Sequence, residues 1–159
     1  MKFIASKKLS DNTLLRSIIL WMLVAFMFAA GLSVTAKVIE YGMTPAQWIN
    51  TVFGNAEEFT DPLSMNDLLL SVHTDLFGLM LMFILVASVY ARTSRRMGVK
   101  MAFFTLSLVS LLFYPAALLS SFLIGATAVS VAFGSFFLFH LLIVVSSIDL
   151  ILLLIRRKF

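Results

Sequence analysis

Residues 132–155 read AFGSFFLFHLLIVVSSIDLILLLI, and this stretch contains only two ionisable side chains, His140 and Asp149. A helix needs about 20 mostly apolar residues to cross the hydrocarbon core of a bilayer, which is about 30 Å thick. Backbone polar groups in lipid must be hydrogen-bonded within their own segment. The stretch therefore predicts a transmembrane helix.

Three further segments have the same apolar character. They cover residues 14–36, 68–91 and 101–124. The first connection, residues 37–67, is long, whereas the other two are short, so neighbouring helices are expected to pack antiparallel. The sequence predicts an all-α membrane protein, in which a single domain over residues 1–159 forms an up-down bundle of four transmembrane helices.

The overall composition agrees with this fold class. Hydrophobic residues make up 61% of the chain and charged residues 13%, whereas a soluble domain is roughly half apolar and about a quarter charged. This balance excludes a soluble domain and a nucleic-acid-binding module, and it makes the lipid bilayer the first predicted partner. The chain has no cysteine, which excludes disulfides, thiolate metal sites and thiol catalysis.

The distribution of charge predicts the orientation in the membrane. Basic residues near the inner ends of membrane helices mark the cytoplasmic side. Eleven of the twelve basic residues lie before the first helix, in the second connection or at the chain end, and the first connection is acidic instead. Both termini are therefore expected in the cytoplasm of a bacterial cell, with residues 37–67 outside its inner membrane. The basic residues are Lys2, Lys7, Lys8, Arg16, Arg92, Arg95, Arg96, Lys100, Arg156, Arg157 and Lys158, and the acidic ones are Glu40, Glu57, Glu58, Asp61 and Asp67.

The outer connection contains a pattern for one short helix. Residues 44–47 (TPAQ) have the form of a capping box with proline at the first helical position. The helix is expected over residues 45–53 and ends at Gly54. Its apolar face includes Trp48, which predicts an amphipathic helix lying on the outer membrane interface.

Ionisable residues inside membrane helices are costly and point to function. At a rise of about 1.5 Å per residue, His73 and His140 lie about 28 Å and 24 Å from the basic residues that flank the inner ends of their helices. Both histidines are therefore expected at one depth in the outer leaflet. The four ionisable residues inside the predicted helices are His73, Asp75, His140 and Asp149.

Small residues are expected at the same depth on all four helices. They allow either close approach of the helix backbones or room for a flat cofactor, and the sequence leaves both readings open. These residues are Gly31, Gly78, Ala116, Ala117 and Gly134.

Three interpretations of the histidines compete. His73 and His140 could be hydrogen-bonding residues between helices, axial ligands of a haem iron, or members of a proton relay with Asp75. Their matched depth favours the second interpretation. The sequence therefore predicts haem b, with iron bound by His73 and His140 and with the five small residues beside the cofactor.

Helical phase separates the two acids from the histidines. Asp75 follows His73 by two residues and Asp149 follows His140 by nine, so each acid points to the other side of its helix. Asp149 lies about 10 Å from the inner end of its helix. Both acids are predicted to be proton-linked or partner-contacting residues. For Asp149 the expected partners are Ser146, a group on another chain or its own proton.

Two stretches resemble a known group of proteins. Residues 54–59 (GNAEEF) and 68–77 (LLLSVHTDLF) are similar to small four-helix inner-membrane proteins of respiring bacteria, which carry His-x-x-Leu-Phe at the start of their second helix. Where such proteins often repeat a histidine two positions on, this chain has Asp75. The layout also resembles four-helix b-type cytochromes, whose haem ligands are histidines on bundle helices; here that likeness depends on His73 and His140.

The leading functional prediction is an electron-transfer subunit of the membrane rather than a stand-alone enzyme. It would exchange electrons with a quinone or an outer redox protein. The first alternative is a non-catalytic structural or assembly subunit that contacts other membrane protein subunits in a larger inner-membrane complex. The second alternative is a small proton-coupled carrier.

Overall fold

The computed structural model describes residues 13–57 and 59–156. Within these residues there are five helices and no strand, so the predicted all-α fold class is confirmed. Predictions for Lys2, Lys7, Lys8, Glu58, Arg157 and Lys158 lie outside the described residues. The helices are α1 (Thr13–Tyr41), α2 (Pro45–Phe53), α3 (Met65–Tyr90), α4 (Met97–Ile124) and α5 (Ala126–Ile155).

Four of these helices are long and apolar enough to cross a membrane. They contain 26 to 30 residues, which corresponds to about 39 to 45 Å, more than the hydrocarbon core requires. All four are longer than the predicted spans, although α3 ends one residue before its predicted end at residue 91. The largest difference is at residues 125–131, predicted as a connection, where only Gly125 interrupts the helix. Its φ of +85° suits glycine, which turns the chain directly from α4 into α5.

Helix α5 lies at the centre of the bundle. It packs against each of the other four helices and has its most extensive interface with α4. Helices α1 and α3 are peripheral and expose long rows of large apolar side chains, as expected for surfaces that contact lipid. We call the end of the bundle that carries α2 the loop end. The opposite end, where α3 turns into α4 and where Arg92, Arg95 and Arg96 lie, is the basic end.

Helix α2 forms as the sequence predicts. The Thr44 hydroxyl accepts a hydrogen bond from the Gln47 backbone N–H, and the Gln47 side chain accepts one from the Thr44 backbone N–H at 3.1 Å. These two bonds complete the capping box. The helix ends at Gly54, whose φ of +78° is in the left-handed region.

Trp48 lies inside the protein and not in the membrane interface where it was predicted. Its side chain is completely buried. Its ring centroid is 4.8 Å from that of Tyr41 and 5.4 Å from that of Phe133, and its indole N–H donates to the Gly42 carbonyl at 3.0 Å. The apolar face of α2 therefore covers the loop end of α5, because aromatic side chains there offer a better-packed partner than lipid head groups.

Candidate functional site

A network of charged and polar side chains joins three helices at the loop end. The ammonium group of Lys37 on α1 lies 2.9 Å from the Asp75 carboxylate on α3 and 3.0 Å from Glu40. It also donates to the Ser71 hydroxyl at 2.7 Å. The Tyr114 hydroxyl on α4 donates to the same Asp75 oxygen. We call Lys37, Glu40, Ser71, Asp75 and Tyr114 the loop-end cluster.

The centre of the loop-end cluster is largely removed from solvent, whereas Glu40 at its edge is exposed. The side chain of Lys37 is only 4% exposed and that of Asp75 is 18% exposed. The Lys37 ammonium also lies 4.6 Å from the ring centroid of Tyr41, within range of a cation–π interaction. Beside the cluster an open groove of about 360 Å³ is lined by Lys37, Glu40, Asp67, Leu70, Ser71, Thr74 and Asp75. The cluster therefore ties α1, α3 and α4 together and borders an open groove on one side.

A second network lies at the basic end. The Arg95 guanidinium donates two hydrogen bonds to the Asp149 carboxylate, one of them from Nε at 3.0 Å. The Tyr90 hydroxyl donates to the same carboxylate at 3.2 Å. Arg95 belongs to the turn between α3 and α4, and Asp149 raises its pKa above the ordinary value, because the hydrogen bond and the negative charge favour the charged guanidinium. We call Tyr90, Arg95 and Asp149 the basic-end cluster.

Both acids find partners within the chain. The sequence named no partner residue for Asp75, and the structure gives it Lys37 on α1 and Tyr114 on α4. The expected partners of Asp149 were Ser146, another chain or its own proton, but the structure gives Arg95 and Tyr90. The direction in which a side chain points from its own helix does not show which cation of a neighbouring helix or turn will lie beside it.

The structure does not bring the two histidines together. His140 is buried, its Nδ1 lies 2.8 Å from the Phe136 carbonyl oxygen, and its Nε2 lies 3.1 Å from the Ser33 hydroxyl. Both of its ring nitrogens are thus engaged. His73 is exposed on α3 and has no hydrogen bond or ion pair to any described residue. This arrangement does not form a slot between two facing imidazoles. Among the described residues there is also no group of three or more His, Asp or Glu side chains that could hold a metal ion.

The small residues at this depth do not mark a shared cavity. A Cβ added at Gly31, Gly78 or Gly134 would meet no atom within 4 Å, so these glycines face open space. Ala116 and Ala117 border an apolar groove of about 410 Å³ along α4 and α5, and none of the three glycines lines that groove. Neither close backbone packing at the glycines nor a cofactor slot between the helices follows from this geometry.

Six residues of the two clusters were missed as site residues at the sequence level, namely Lys37, Glu40, Ser71, Tyr90, Arg95 and Tyr114. Lys37 gave the clearest signal, since it is the only basic residue in the predicted outer loop. Tyr90 and Tyr114 are polar side chains within or at the end of apolar segments, and such side chains need a partner when they are buried. Nothing in the sequence distinguishes Arg95 from the other basic residues that predict the orientation in the membrane.

Comparison with known proteins yields one family. Residues 42–158 match the family model Aq_1264_TM, which describes a transmembrane helical domain. The matched region contains α2 to α5, and α1 precedes it. No curated protein and no solved structure matches the chain. With its four apolar helices, the chain is a multi-pass membrane protein in contact with the lipid bilayer.

Proposed function

We propose that this chain, which belongs to the Aq_1264_TM family of transmembrane helical domains, is a structural subunit of a larger membrane assembly. In this proposal it joins a different membrane chain through the exposed face of α3. The observation that carries the proposal is the exposed position of His73 within an apolar surface.

His73 lies at a depth where an exposed imidazole is unfavourable. It follows the first residue of α3 by eight positions, about 12 Å along the helix. If α3 is centred in the bilayer, the imidazole lies about 7 Å inside the hydrocarbon core. Lipid tails offer no hydrogen bond there, whereas a neighbouring helix with a donor or acceptor at this depth does.

The surroundings of His73 are suited to contact with another helix. Leu70, Phe77 and Leu81 are exposed at helical spacing around it and form one apolar stripe on α3. The inferred partner is therefore a membrane helix with an apolar face and one hydrogen-bonding side chain at the level of His73. The loop-end cluster supports this role, because it fixes α3 relative to α1 and α4.

Single cysteines test the contact cleanly, because the native chain has none. Phe77→Cys places a thiol on the α3 face. Leu141→Cys is the control, since Leu141 is exposed on α5 at a similar depth, and both residues lie about 20 Å from the basic end of their helices. With a thiol-directed photo-cross-linker in native membranes, we expect a discrete product containing a second, different chain from Phe77→Cys and none from Leu141→Cys.

Changes at His73 then separate a specific contact from random collision. His73→Ala in the Phe77→Cys background is expected to lower the yield of this product about fivefold, since an interhelical hydrogen bond in a membrane is worth about 1 kcal/mol. His73→Gln retains a donor and an acceptor and should recover part of it. Equal labelling from both cysteine positions, or a product made of two copies of this chain, contradicts the proposal.

The haem b and electron-transfer hypothesis stays a prediction. Both ring nitrogens of His140 are engaged, so the predicted pairing of His73 and His140 on one iron would require His140 to exchange one of these hydrogen bonds for the metal. An absorption spectrum of the chain purified from haem-replete cells tests this: a Soret band that His73→Ala removes supports haem, and a colourless preparation contradicts it.

The predicted orientation in a bacterial inner membrane is also part of the proposal. It is supported by the arginines at the basic end, which the positive-inside rule assigns to the cytoplasm. In intact spheroplasts a membrane-impermeant maleimide should label Glu57→Cys and leave Met97→Cys unlabelled. The reverse pattern contradicts this orientation.

A further inference from the structure

We propose that the interface between α4 and α5 binds a short file of water molecules. This file connects the loop-end cluster to the basic-end cluster and carries protons between them. The inference rests on buried serines, which have no part in the proposed contact of α3.

Four serines are buried between the two clusters. Ser107 and Ser110 lie on α4, and Ser146 and Ser147 lie on α5. The hydroxyls of Ser107 and Ser147 are completely enclosed and have no hydrogen-bond partner among the described residues. A buried hydroxyl without a partner is unfavourable, and internal water commonly satisfies such groups.

The heights of the two unpaired hydroxyls follow from the contact between Tyr114 on α4 and Phe136 on α5, whose ring centroids are 5.2 Å apart. Ser107 is seven residues from Tyr114 and Ser147 is eleven residues from Phe136, both toward the basic end. These spacings correspond to about 10.5 Å and 16.5 Å, which leaves a height difference of about 6 Å.

Two side chains of α4, Ser110 and Tyr114, continue the path from Ser107 to the loop-end cluster. Ser110 is about 4.5 Å above Ser107, and Tyr114 is about 6 Å above Ser110. Tyr114 lies 5.2 Å from Phe136 on α5, which fixes the register of the two helices at this end, and its hydroxyl donates to Asp75. Since two successive hydrogen bonds span about 5.5 Å, one or two bridging waters connect each pair of levels.

Both ends of the file reach partly exposed carboxylates. The Asp149 side chain is 22% exposed and that of Asp75 is 18% exposed beside the loop-end groove. Each water or hydroxyl on the way accepts one hydrogen bond and donates another. A proton taken up by the carboxylate at one end is therefore matched by a proton released from the carboxylate at the other, and only O–H bonds form and break.

Proton flux into liposomes tests the proposal with the full-length chain. The purified protein is reconstituted with a pH-sensitive dye inside, and a potassium diffusion potential drives the protons. We expect flux above that of protein-free liposomes for the wild type, and a loss of at least tenfold for the double variant Ser107→Ala/Ser147→Ala, whose apolar space would stay dry. Ser130→Ala is the control, because the Ser130 hydroxyl donates to the Ala126 carbonyl of its own helix.

Thermal unfolding of the same variants gives a readout independent of flux. If water satisfies the two hydroxyls, the double alanine variant should unfold at the wild-type temperature or below it. If the interface is dry, removal of two unpaired hydroxyls should raise the unfolding temperature. A raised unfolding temperature, or wild-type flux no greater than that of empty liposomes, overturns the proposal.

Discussion

The two ends of the bundle use the same three kinds of group in different surroundings. Each cluster combines an aspartate, a cation and a tyrosine hydroxyl that donates to the aspartate. At the loop end the cation is Lys37, with a side chain that is 4% exposed, whereas at the basic end it is Arg95, which is 45% exposed. Burial determines what loss of a partner costs, because water can replace an exposed partner but cannot replace a buried one.

The largest effect is expected from Lys37→Met. It leaves the Asp75 and Glu40 carboxylates close together without their shared cation. Loss of one partner from a buried ion pair costs about 3 to 5 kcal/mol, so the free energy of unfolding should fall by about this amount. Thermal unfolding in mild detergent measures it, and the double variant Lys37→Met/Asp75→Asn is the control, since it removes both charges and should recover part of the loss. Wild-type stability of Lys37→Met would show that the ion pair does not hold the helices together.

A smaller difference is expected between the two tyrosines. Tyr114→Phe removes a hydrogen bond from a fully buried tyrosine to the charged Asp75 carboxylate and should cost about 1.5 to 3 kcal/mol. Tyr90→Phe leaves Asp149 with both hydrogen bonds from Arg95, so its cost should be about 0.5 to 1.5 kcal/mol. Both values come from the same unfolding measurement, and a greater loss in Tyr90→Phe would reverse the comparison.

The smallest effect is expected from Arg95→Gln. An exposed ion pair contributes little to stability because water solvates both partners, and salt screens it over about 4 to 5 Å at 0.5 M. The variant should therefore lose little stability at low salt and become indistinguishable from the wild type at about 0.5 M salt. A loss of stability as large as that of Lys37→Met that persists in salt would place the basic-end cluster in the same class as the loop-end cluster.

The sequence predicted the helices but not the partners of the ionisable side chains within them, for one physical reason. Length, apolar composition and the capping box at Thr44 are local properties, and they identified four spans and one short helix. The partners of Asp75 and Asp149 depend on how α1, α3 and α5 are rotated about their axes and on how far long side chains reach. Equal depth placed His73 and His140 on one level, but depth along a helix does not determine which way a side chain points.

The direct turn at Gly125 determines what the loop end presents to water. Because α4 passes into α5 through a single residue, that hairpin contributes no loop there. The long connection at this end is residues 42–64, and beside it lies the groove that residues of α1 and α3 line. A soluble binding partner, an antibody or a protease that approaches from this side meets that connection together with the adjoining ends of α1 and α3.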